Sequence, residues 1–155
     1  MDIAQSLQIH KIVPALKVRS AKDAYQYCAS IAAQEFNLNG EMLFQLLWEQ
    51  EMMRGSGIGN GIAIADLFVA GLTDSYNIFV KFDKPILFHG ADQEVVDLLM
   101  VVLSPPSHGP LHLRSLARFN RLMRDEKICA TLRGTEDPDL MHSFLTDPQS
   151  RQLAA

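Results

Sequence analysis

From Val95 to Leu103 the chain reads Val-Val-Asp-Leu-Leu-Met-Val-Val-Leu, an almost unbroken apolar run rich in β-branched residues. Alternate side chains of a strand point to opposite faces of its sheet, so a run of this kind has no side that can be left in water. It is too short to span a bilayer and carries Asp97, which leaves one solution: a strand inside a sheet that is covered on both faces.

Helices are expected to provide the covers. Ser20 followed by Asp23 caps a first helix in which Ala24, Cys28, Ile31 and Ala32 recur at helical spacing, until Asn37 and Asn39 break the pattern. A second helix is expected from about Glu41 to Met53, with Leu43, Leu46, Leu47 and Met53 turned inward. Pro110 suits the first turn of a third, with Leu113, Leu116, Phe119 and Met123 on its apolar side, and Asp137-Pro138 opens a last helix through Leu145. Ile62 and Ile64 alternate as in a strand, Asn77 to Phe82 reads as another, and Ile12 to Val18, interrupted by Pro14, reads as an edge strand or extended lead-in. Helices placed before, between and after strands give an α/β fold, a three-layer sandwich around a mixed sheet. With 155 residues, one domain covering 1–155 is expected, burying roughly 70% of the unfolded chain's surface.

Charge excludes several classes of partner. A formal net charge of −4 without a basic run disfavours nucleic acid. Arg114, Arg118, Arg121 and Arg124 are spaced as on the solvated face of a helix, the alternative being a docking surface for an acidic partner. Cys28 and Cys129 are too far apart for a CxxC pair or a zinc cluster and read as reduced core thiols, so no metal is expected. No membrane insertion is expected either, because a basic segment leading into an apolar stretch is missing from Met1-Asp2-Ile3-Ala4-Gln5, and a cytoplasmic location follows. His10, His89, His108 and His142 have no motif around them, and the tail after Asp147 reads as loose.

The second helix gives way to Gly55, Gly57, Gly59 and Gly61. Glycines can turn successive N–H groups toward one anion, so Gly57, Gly59, Asn60 and Gly61 form a candidate phosphate-type loop; a tight helix-to-strand connection is the alternative. The spacing is not GxGxxG and the loop follows a helix, which argues against dinucleotide and Walker sites.

The run Gly57-Ile58-Gly59-Asn60-Gly61-Ile62-Ala63-Ile64-Ala65-Asp66 resembles the active-site signature of the mannitol/fructose class of phosphotransferase-system enzyme IIA (type 2), where it ends in Pro-His. Glu49-Gln50-Glu51, Ser56, Lys84-Pro85-Ile86, Val96-Asp97-Leu98-Leu99 and His112-Leu113-Arg114-Ser115-Leu116 resemble further landmarks in the same order, and Ile128-Cys129-Ala130-Thr131-Leu132-Arg133 is closest to the nitrogen-regulatory branch. The resemblance implies a central mixed sheet of about five strands with helices on both faces. It also implies phosphoryl transfer from an HPr-type phosphocarrier, no cofactor, and regulatory targets such as sensor kinases or potassium-transport components. On the family pattern Asp66 stands at the phosphoacceptor His, Gln50 at a clamp Arg, Ser56 at a Thr, and His112 at a second active-site His.

Phosphoryl transfer spreads negative charge over three oxygens and needs fixed donors around them. A carboxylate repels a phosphoryl dianion a few ångströms away by roughly 2 kcal/mol in water and roughly 8 kcal/mol at an effective dielectric of 20. The main reading is therefore an enzyme IIA-like regulator that binds proteins and holds, at Asp66, a permanent charge where the family has a reversible one. A carboxylate that merely caps the loop or is solvated is the plainer view of the same residue. Two further readings are a working phosphocarrier using Asp66 or His112 as acceptor, and a small-anion sensor using the glycine-rich loop.

Overall fold

The computed structural model describes residues 7–88 and 95–148. Strand β5 (Val95–Ser104) lies at the centre of a five-stranded mixed sheet of order β1-β4-β5-β3-β2. Its apolar run sends Leu99, Val101 and Leu103 into one core with helices α1 (Ala21–Phe36) and α2 (Gly40–Arg54). Leu98, Met100 and Val102 enter a second core with α3 (Gly109–Met123), α4 (Glu126–Arg133) and α5 (Pro138–Thr146). The three-layer expectation holds because the central strand has two apolar faces.

Around β5, β4 (Tyr76–Leu87) pairs antiparallel and β3 (Ile62–Phe68) parallel. The proline-containing β1 (Lys11–Leu16) is the edge strand anticipated, parallel to β4, with its register irregular between Val13 and Leu16, around Pro14. Ser20, Asn39, Asp125 and Asp137 cap α1, α2, α4 and α5 with side-chain oxygens that accept first-turn N–H groups.

Several helix faces differ from the sequence expectation. In α2 the inward stripe is Leu43, Phe44, Leu47 and Glu51, while Leu46 is exposed and Met53 is 86% exposed. In α3, His112 takes the inward place beside Phe119, Leu122 and Met123, and Leu113 is 65% exposed. Leu46 and Leu113 are each one position from a buried residue, a rotation of about 100° on a helix, whereas Met53 lies two positions beyond Glu51 in the exposed last turn of α2. Helix α4, capped by Asp125, was not foreseen as a separate element. His10 and His142 have structural partners, the first accepting from the Asn77 N–H and the second meeting the Ile9 carbonyl. His89 and most of the tail after Asp147 lie outside the described residues.

The glycine-rich stretch is a β-hairpin. Strand β2 (Gly57–Gly59) pairs antiparallel with β3 through a two-residue turn, in which Asn60 (φ 58°) and Gly61 (φ 81°) both adopt left-handed backbone. Asn-Gly is the preferred pair for that turn because its twist matches the flanking strands. Gly61 is needed twice over: a Cβ there would come within 2.7 Å of Asp97 Oδ1 and 2.9 Å of Arg133 Nη2. Arg133 forks onto Asp97 at 2.6 and 2.9 Å and donates to the Asn60 carbonyl at 2.6 Å, tying the turn to α4. Strand pairing and turn geometry account for Gly57, Gly59, Asn60 and Gly61 without a phosphate-type loop, in line with the helix-to-strand alternative. The hairpin tip is also remote from Asp66, five residues along β3 or about 16 Å.

Gly61→Ala should destabilise the chain by about 1–3 kcal/mol in urea titration, because the new Cβ meets both backbone strain and the Asp97–Arg133 fork; a change below about 0.5 kcal/mol would remove this role. The Cys28 thiol, pushed up to about 12 by burial, should resist thiol reagents at mild alkaline pH until the protein unfolds. Rapid labelling of the native chain at Cys28 would contradict its burial.

Candidate functional site

Asp66 sits near the carboxyl end of β3, opposite Val102 of β5, and Phe68 is opposite Ser104. Alternation places Asp66, Phe68 and Ser104 on the face that receives α3. The short β2 accompanies β3 only to Ile64, whose N–H donates to the Ser56 carbonyl. Beyond that point the end of α2 comes alongside, and a side chain from the opposite layer can reach round to Asp66.

Two donors hold the carboxylate from two sides. Arg54 Nη2 donates to Asp66 Oδ1 at 2.8 Å, and His112 Nε2 meets Asp66 Oδ2 at 2.9 Å. A carboxylate only accepts, so Nε2 carries the proton. His112 is 1% exposed and its Nδ1 lies 2.6 Å from Ser104 Oγ, which fixes the ring between the two strand ends. Phe68 packs against the imidazole with ring centroids 4.2 Å apart. Arg54 is the last residue of α2, where a cation also favours the helix dipole.

Behind this layer lies a buried hydrogen-bond brace. Tyr25 of α1 donates to Glu51 Oε1 at 2.5 Å, Ser56 Oγ donates to the same oxygen at 2.6 Å, and the Ser56 N–H reaches Oε2 at 3.2 Å. Burial first and the Glu51 carboxylate second push the Tyr25 hydroxyl well above its ordinary range, so it remains a donor. Glu51 is a buried acid kept in place by these donors. Arg54 stands between Glu51 and Ser56 in the chain, and a brace on both residues sets where its side chain starts.

Four sequence-derived site residues therefore converge: Asp66 and His112 in direct contact, with Gln50 and Ser56 lining the crevice between α2 and β3. Arg54 was missed. The family pattern puts a clamp arginine where this chain has Gln50, yet an arginine stands one turn further along the helix and touches Asp66. Its spacing of four from Gln50, on the same face, was the available signal. Ser104 and Phe68 had none, since both are recruited by the β3–β5 register.

A family model described as phosphoenolpyruvate-dependent sugar phosphotransferase system, EIIA 2, matches residues 5–147. A nitrogen regulatory protein of Bradyrhizobium diazoefficiens is 35% identical over 148 residues, covering 96% of this chain and 97% of that protein. One from Escherichia coli strain K12 is 30% identical over 132 residues, covering 84% and 81%. Among solved structures, the nitrogen regulatory protein IIA-Ntr from Neisseria meningitidis superposes with TM-score 0.82 at 23% identity, over 93% of this chain and 99% of that one. The mannitol IIA of Escherichia coli superposes with TM-score 0.71 at 14% identity, over 87% and 95%; these two likenesses speak for the fold.

Two substitutions test the layout. Tyr25→Phe should cost about 1–3 kcal/mol in thermal or urea unfolding, because it takes a donor from buried Glu51; a neutral result would show that the brace carries no weight. In Asp66→Ala, the His112 Nε2–H signal in the imidazole NMR spectrum should shift and exchange faster with water, and an unchanged signal would remove the contact.

Proposed function

The chain belongs to the EIIA type 2 family of the phosphoenolpyruvate-dependent sugar phosphotransferase system, and from that premise we propose that it is a nitrogen-type regulatory protein that binds protein partners without carrying phosphate at the usual position. The observation that carries this reading is that each oxygen of the Asp66 carboxylate, which on the family pattern stands at the acceptor histidine, is already engaged by a donor. Such a group is a poor nucleophile toward an incoming phosphoryl donor, because both oxygens would have to leave their partners and the two anions repel. His112 is no better placed as acceptor. Its Nε2 faces Asp66, its Nδ1 faces Ser104, and it is buried.

Relatives matched over most of this chain are nitrogen regulatory proteins, and the family works through protein partners. The surface next to the site suits that role. Met52 and Met53 on α2, Phe68 on β3, and Leu111 and Leu113 on α3 are exposed large apolar side chains, each within two residues of Arg54, Asp66 or His112. Exposed apolar side chains gathered around a polar site are a common mark of a protein-binding face. The HPr-type phosphocarrier is one partner to test; sensor kinases and potassium-transport components are the regulatory targets. No helix among the described residues is long and apolar enough to cross a membrane.

Incubation with phosphoenolpyruvate, enzyme I and the cognate HPr-type carrier should leave the intact mass unchanged, and a gain of one phosphoryl group would overturn the proposal. In parallel, the native chain should retain more of its regulatory partner in a pull-down than Met53→Asp, which places a charge on the apolar rim. Equal retention would move the docking face elsewhere.

A further inference from the structure

Arg54 and His112 approach one carboxylate from different layers of the fold, and each takes a different oxygen. Two N–H donors converging on the two oxygens of one group describe an oxyanion receptor. The receptor is built rather than incidental. His112 is 1% exposed and locked through Ser104, while Arg54 rises from a helix end fixed by the Tyr25–Glu51–Ser56 brace. The neighbouring crevice between α2 and β3 is narrow, with a cavity volume of about 10 Å³, room for about one water molecule. Asp66, its side chain 22% exposed, lines this crevice together with Arg54.

We propose that Arg54 and His112 form an oxyanion-binding cradle whose resident ligand is the chain's own Asp66 carboxylate, so that the site is self-occupied and accepts an external phosphate-class anion only when that carboxylate is removed. Arg54 is then the positive clamp of this site, one helical turn from position 50, where the family pattern implies one. Asp66 becomes an intramolecular competitor as well as a fixed charge. Its charge is balanced by Arg54, so a partner meets a neutralised pair with the Phe68 ring beside it. The inference deepens the reading above and rests on it only in taking Asp66 as the acceptor position.

Inorganic phosphate is the probe, titrated into the isolated chain by calorimetry and by NMR of the Arg54 and His112 side chains. Native protein should show no saturable binding at this site, whereas Asp66→Ala should bind, with shifts at both side chains. Adding Arg54→Ala to that variant should weaken binding by about tenfold or more, the loss expected for one charge-assisted hydrogen bond. Arg124→Ala, twelve residues beyond His112 at the far end of α3, should leave the affinity within about twofold, since it has no part in the cradle. Asp66→Ser is a second vacated form should Asp66→Ala fail to fold, circular dichroism being the check. Absence of binding in a folded vacated form, binding that survives Arg54→Ala, or equal binding by the native chain would each overturn the proposal. Because no carrier or partner is present, that failure leaves the regulatory reading untouched, and a failed pull-down leaves the cradle untouched.

Discussion

The two-sided burial of β5 is the constraint from which the rest of the arrangement follows. Its residues alternate between two cores, so helices must occupy both faces, and the strand must sit at the middle of the sheet. Once β3 pairs with it in parallel, register brings Asp66 and Phe68 to the same end as Ser104. The chain then turns through Pro105 and Pro106 into α3, and His112 is delivered back over the strand ends within its first turn. The opposite layer supplies Arg54, because the neighbouring strand β2 is too short to shield the end of β3. The site is where the two layers meet.

Its electrostatics differ from what a carboxylate at an acceptor position suggests in isolation. Seen alone, Asp66 repels phosphate and advertises a negative charge. In place, it is the shared acceptor of a guanidinium and a buried imidazole. Arg54 is 59% exposed, so the ion pair contributes little to stability on its own. Its effect is positional: it fixes one carboxylate oxygen while His112 meets the other. Stability near the site comes instead from the buried Tyr25, Glu51 and Ser56 hydrogen bonds and from the apolar cores around them.

Much of this was readable in the chain. The Val95–Leu103 run, the cap residues Ser20 and Asp137, and Pro14 on an edge strand each express a local rule strongly enough to place an element. Leu46, Met53 and Leu113 lie on the other side from the one expected, because hydrophobicity alone cannot separate a core side chain from an exposed apolar one. Glycine density fits an anion loop or a tight helix-to-strand connection equally in the sequence, and it is the Asn60-Gly61 pair, a hairpin signal, that decides between them in the structure. Within the site, Asp66, His112, Gln50 and Ser56 were found through motif position, whereas Arg54, Ser104 and Phe68 needed the tertiary register.

The account turns on where the Asp66 carboxylate spends its time. A crystal structure of the native chain, grown without phosphate or sulfate and refined to show both side-chain oxygens, tests this most directly. The account predicts Oδ1 on the Arg54 guanidinium and Oδ2 on His112 Nε2, at the 2.8 and 2.9 Å seen here. A carboxylate turned into solvent, with Arg54 swung away and His112 bonded to Ser104 alone, would contradict it.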